Sequence, residues 1–210
     1  MDLKLSGSGI VPAGEYETVA LSGSAKISGD IKCSGFSAAG SLKGEAVECL
    51  GNMKISGSSK FTKGISSKAL TVSGSFSCGG IECKNLSVRG AAMIDGEMIA
   101  AESAVLQGAI ACKGLLSAER VSIVFDGKTA ISAIKGGSVS MTKKRLAPFA
   151  KNARVAGSVE ADEISLTYVN CPRVSGKRVT IGKGCEIDLV QYSDTIDISA
   201  NAYVKKTEKI

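Results

Sequence analysis

Histidine and tryptophan are both absent from this 210-residue chain, and proline occurs only 3 times. The missing imidazole removes the Ser-His-Asp triad, the Cys-His dyad, histidine metal sites and the commonest general base. Rings are scarce too. The 5 Phe and 4 Tyr make up 4% of residues, fewer than a layered enzyme of this length uses to fill its core. The 7 cysteines are an odd number with no C-x-x-C pair, so a disulfide framework and a zinc site both read poorly. Reduced thiols in a cytoplasmic protein are the expectation. No run of ~18 apolar residues is available to cross a membrane as a helix. The opening Met1-Asp2-Leu3-Lys4-Leu5-Ser6-Gly7 lacks the apolar core of a secretory signal. A net charge of +6 is too small, and the 44% of hydrophobic residues too evenly spread, for intrinsic disorder.

What the chain has in quantity is small residues, with 25 Gly and 28 Ser filling a quarter of it. They are arranged around a repeat. From residue 70 to 123, apolar or small residues fall in i, i+2 pairs that recur every five or six positions. The pairs run Leu70/Val72, Phe76/Cys78, Ile81/Cys83, Leu86/Val88, Ala92/Ile94, Met98/Ala100, Ala104/Leu106, Ile110/Cys112, Leu115/Ser117 and Val121/Ile123. Alternate side chains of a strand share one face, so each pair reads as the inward side of a short strand. Gly74, Gly80, Gly90, Gly96, Gly108 and Gly114 lie between pairs, where the chain must turn. A helix is excluded, because glycine at that frequency costs ~1 kcal/mol per position relative to alanine.

Three successive pairs make one circuit. Leu70, Leu86, Ala104 and Val121 then form one stacked column; Phe76, Ala92 and Ile110 a second; Ile81, Met98 and Leu115 a third. The expected fold is all-β, a triangular parallel β-helix (β-solenoid) with coils ~4.8 Å apart. Its narrow core explains the shortage of rings. The beat extends upstream through Val19/Leu21, Ala25/Ile27, Ile31/Cys33, Val47/Cys49 and Met53/Ile55, which places Cys33, Cys49 and Cys83 in one column as small buried hydrophobes. The resulting division is a β-helix over 1–125, an irregular segment with a projecting basic loop over 126–151, in which Ile131, Ile134, Val139 and Met141 can still form strands, further coils over 152–204 and a frayed tail at 205–210.

Chemistry-bearing patterns are few. Gly127-Lys128-Thr129 resembles the end of a phosphate loop, but Ser122 stands where the leading glycine belongs and β-branched residues follow. The carboxylates Glu160/Asp162/Glu163, Glu186/Asp188 and Asp194/Asp197 could supply an acid and base for glycoside cleavage, yet the aromatic sugar platforms are missing. No catalytic, cofactor or metal site is expected, and no nucleic-acid partner. The best contact segment is Lys143, Lys144, Arg145, Leu146 and Phe149, cations beside apolar groups that suit a partner protein or an anionic membrane surface.

Val72-Ser73-Gly74-Ser75-Phe76, Ala104-Val105-Leu106-Gln107-Gly108-Ala109-Ile110 and Gly182-Lys183-Gly184-Cys185-Glu186-Ile187-Asp188-Leu189-Val190 carry a resemblance to the bactofilins, polymer-forming bacterial cytoskeletal proteins. The last segment is similar to longer Firmicute-type members. The resemblance implies a right-handed β-helix that assembles end to end without nucleotide into non-polar filaments. It also implies a scaffold for cell-envelope, shape or motility proteins, in the cytoplasm or at the inner membrane face. Independently of it, the ends of a solenoid present unpaired backbone and a slice of core. Leu3, Leu5, Ile10 and Val11 at one end and Ile196, Ile198 and Val204 at the other are the expected self-association residues. Two alternatives stay open: a capped solenoid adaptor for one protein partner, and a solenoid enzyme acting on polysaccharide or transferring acyl groups.

Overall fold

A computed structural model describes residues 1–144 and 151–210, and among these every regular element is a strand. They are β1 (Leu3–Gly44), β2 (Val47–Phe61), β3 (Gly64–Cys78), β4 (Gly80–Ile94), β5 (Met98–Phe125), β6 (Ala130–Lys143), β7 (Ala153–Val155), β8 (Ser158–Leu166), β9 (Val169–Ile181), β10 (Glu186–Ile198) and β11 (Tyr203–Lys209). Each pairs in parallel with the element a turn away, in the order β1 to β7, then β9, β10 and β11, with β8 between β6 and β9. The chain is a β-solenoid of about ten turns.

Each turn has three inward-facing pairs, and the strand register stacks like on like. One column runs Phe36, Met53, Leu70, Leu86, Ala104. Ile31, Val47, Ile65, Ile81 and Met98 form the second, and Leu42, Ser59, Phe76, Ala92 and Ile110 the third. Cys33, Cys49, Ser67, Cys83 and Ala100 line up as well, so the cysteine column exists with a serine inside it. Nearly all of these side chains are buried, and burying each aliphatic one contributes roughly 1.5–3 kcal/mol.

One corner explains the glycines. Gly7, Gly23, Gly40, Gly57, Gly74, Gly90 and Gly108 all hold positive φ, between 94° and 126°. They also stack: a Cβ on any member from Gly23 onward would collide with the carbonyl oxygen of the glycine one turn earlier. Both the dihedral and the close approach exclude a side chain there. The column therefore fixes the phase of every turn it crosses.

The structure departs from the sequence reading at four places. Leu115 and Ser117 are only half-buried, and the inward pair is Leu116/Ala118. The corner at Lys113-Gly114 takes an extra residue, with a register shift between Cys112 and Leu115, so the two-residue alternation restarts one position later. Further on, the inward residue after Ile187 is Val190, with Leu189 half-buried, and the register with β9 is unbroken there. Within 126–151, β6 is a full member of the stack, pairing with β5 and β8, and residues 145–150 of the expected projecting loop lie outside the described residues. The tail is not frayed: β11 reaches Lys209, with Leu189 opposite Lys206 and Tyr192 opposite Lys209.

Candidate assembly interface at the ends of the coil

The interior columns end in a graded loss of cover. In mid-rod the inward residues Leu70, Leu86 and Val88 are at most 1% exposed. At the first turn, Leu3 and Leu5 are only half-buried, as are Ile196 and Val204 at the last, and Ile198 is 37% exposed. These five occupy inward positions of terminal rungs. Glu17 N donates to Met1 O at 2.9 Å and Thr18 Oγ1 to Asp2 Oδ1 at 2.6 Å, so the first rung is bonded to the second across its inner edge. β11 pairs with β10 and with no other described strand.

Two of the expected contact residues are placed differently. Val11 is 1% exposed and offers no surface. Ile10 is 70% exposed because alternation turns it to the outer surface of its strand, outside the interior column. The outward neighbours Lys4, Asp197 and Tyr203 belong to the same rungs, and from the sequence Asp197 stands out only as one of a carboxylate pair. The signal was available, since each is flanked by interior positions.

On the outside, polar side chains pair along the rod axis, from one turn to the next. Lys63 reaches Asp30 and Glu45 at 3.0 Å each, Lys113 reaches Asp95 at 2.6 Å, and Lys177 reaches Asp162 at 2.9 Å. Arg178 bonds Glu163 and lies 3.9 Å from Asp194. Asn152 donates to Asn170 at 2.9 Å, and Asn170 donates to Glu186 at 2.7 Å. Several of the carboxylates considered for glycoside chemistry are thus engaged by cations or amides in these ladders. An open groove of about 1020 Å³ lies over Asn152, Arg154, Asn170, Glu186, Asp188 and Tyr203.

The remaining motifs are structural here. Thr129 is 2% exposed and its Oγ1 accepts from Ile110 N at 3.4 Å, so Gly127-Lys128-Thr129 closes a rung. All seven cysteines are free and buried. Burial pushes the Cys33 and Cys78 thiols up to about 12, and Cys83 and Cys171 to about 11, which suppresses the nucleophilic thiolate. Among the described residues no group of three or more Asp, Glu or Cys is placed to hold a metal ion.

In the basic segment, Lys143 Nζ sits 5.2 Å from the Tyr168 ring centroid, and Lys144 bonds Asp126 at 3.2 Å. Both cations are tied to the rod surface. Arg145, Leu146 and Phe149 lie outside the described residues. Compared with family models, curated proteins and solved structures, the chain matches none.

Proposed function

We propose that this protein is a non-catalytic, bactofilin-like scaffold whose rods join end to end, without nucleotide, to position other proteins in the bacterial cell envelope. The observation that carries the reading is the exposure gradient. Leu3, Leu5, Ile196, Ile198 and Val204 occupy interior positions yet are partly bared at the terminal rungs. A further turn stacked on either end covers these side chains and satisfies the outer edge of the strand, the two gains that hold every internal turn together. The absence of histidine, the suppressed thiols and the cation-paired carboxylates support a structural role over a chemical one.

Electron microscopy and sedimentation velocity of the purified chain, with and without added nucleotide, test this. Filaments or short oligomers in both conditions are expected. A strict monomer at high concentration overturns the reading and favours the adaptor alternative. One feature speaks for that alternative. On one face of the last turn the inward column ends...Val174, Val190, Thr207, a polar residue of the kind that seals a solenoid.

A further inference from the structure

The two ends of the rod carry opposite charges at matching positions. The glycine corner sets the register between them. Leu5, Leu21 and Ala38 each stand two residues before Gly7, Gly23 and Gly40, which stack on one another. From Ala38 the same column continues through Ile55, Val72, Val88 and Leu106, and later through Ile123, Met141, Leu166, Ile181 and Ile198. Leu5 and Ile198 are therefore the first and last members of one column. Counting back along it, a second copy placed one turn beyond the last rung sets its Leu3 on Ile196, its Lys4 on Asp197 and its Leu5 on Ile198.

The neighbouring face agrees. Its last pairing puts Val204 on Ile187, in the column that Val11 begins, so Ile10 of the second copy meets Tyr203. Ile10 is 70% exposed and Tyr203 63%, both as outward side chains of terminal rungs. On the third face, where Gly29 stacks on Ala13, the column that Ile31 continues ends at Thr207, which sets Glu17 of the second copy beside Lys209, while Lys206 is already paired with Glu208. Lys4, Asp197, Glu15, Glu17 and Lys209 are exposed and make no ion pair among the described residues. Inside the rod, charges already pair along the axis between turns, as Lys32 does with Glu48 at 3.5 Å and Lys177 with Asp162. All strand pairings described are parallel, and only a head-to-tail joint keeps them so.

Resting on the end-to-end reading above, we infer that the partner of each rod end is the opposite end of a second copy. The joint is a head-to-tail continuation of the coil, with Lys4 on Asp197 and Ile10 on Tyr203, and the filament is polar. This departs from the non-polar filament that the bactofilin resemblance implies.

Two blocked chains decide it. Leu5→Lys disables the first end and Ile198→Lys the last, with circular dichroism checking that each stays β-rich. Under head-to-tail joining each variant alone sediments at the 21.4 kDa monomer. An equimolar mixture then forms a species of twice that mass and goes no further, because one good first end meets one good last end. If each variant alone forms dimers and mixing adds nothing, like ends join and the polarity is wrong. If the unsubstituted chain is itself monomeric, the end-to-end reading fails before polarity is reached. A milder pair guards against misfolding: Lys4→Glu or Asp197→Lys alone should weaken assembly roughly five- to tenfold, and the double variant should recover it. Failure of the double variant to recover overturns the proposed register.

Discussion

Replacing Gly74 with alanine tests whether the corner column, and not the apolar pattern alone, fixes the coil. Gly74 has φ of 120°, and an added Cβ would run into the carbonyl oxygen of Gly57, with the carbonyl carbon at 3.0 Å and Cα at 3.2 Å. The dihedral alone costs about 1–3 kcal/mol for an L side chain. The collision is with backbone, which cannot rotate away, and overpacking of that kind adds about 1–3 kcal/mol. A total near 4 kcal/mol lowers the melting temperature of a chain this size by roughly 8–16 °C.

Two further glycines separate the terms. Gly7 has φ of 94° but nothing within 4 Å of an added Cβ, so Gly7→Ala carries dihedral strain without collision. Gly64 lies outside the positive-φ set, and its nearest atom, Gly80 O, is 3.6 Å away. Gly64→Ala should be neutral or stabilising by about 0.5 kcal/mol through the unfolded chain. Thermal unfolding followed by circular dichroism should rank the damage Gly74 above Gly7 above Gly64. A Gly74→Ala protein that melts within about 2 °C of Gly64→Ala refutes the corner argument.

Leu116→Ala should destabilise by about 2–5 kcal/mol while the adjacent Leu115→Ala costs under about 1 kcal/mol, measured by urea denaturation. Equal effects would restore the phase that the sequence pattern suggested. Stability should also respond to alkali. The Cys78 thiol rises from 9.0 to about 12 on burial, so its contribution is intact below pH 9 and is lost as the pH climbs towards 12. Denaturation midpoints across that range should fall, and Ellman's reagent at pH 8 should find the folded chain's cysteines slow and the unfolded chain's fast. Fast labelling of the folded protein contradicts the placement of Cys78.

The fold was legible because the i, i+2 pairs and the 16- to 18-residue interval are printed directly in the sequence. Leu70, Leu86 and Ala104, or Phe76, Ala92 and Ile110, stack as that interval requires. What could not be read were the phases at corners. A corner adds or drops one residue according to backbone geometry, and Leu115 looks as apolar as Leu116. Phe36 and Ala38 were missed for a related reason, because Gly35 precedes them and their run is rich in small residues. The continuation of the last strand over 205–209 was hidden by its lysines, since its stability comes from backbone pairing to β10 and not from an apolar face. The end residues were half-legible: the hydrophobic ones stood out, while Lys4 and Asp197 gained meaning only when the register joined the two ends of one column.

The turn that leaves β6 spends more chain than its neighbours. Cys112 to Ile131 is a step of 19 residues and Val121 to Val139 one of 18, whereas Ile131 to Val155 takes 24 and Ile134 to Val159 takes 25. Yet Met141 sits on Leu166 and Leu166 on Ile181 as if nothing intervened. The surplus length does not shift the register of the rungs that follow. The interval is thus a natural socket for genetic insertion: a fluorescent domain or affinity tag spliced between Lys144 and Lys151 would add length where the register already absorbs it, far along the chain from both tips.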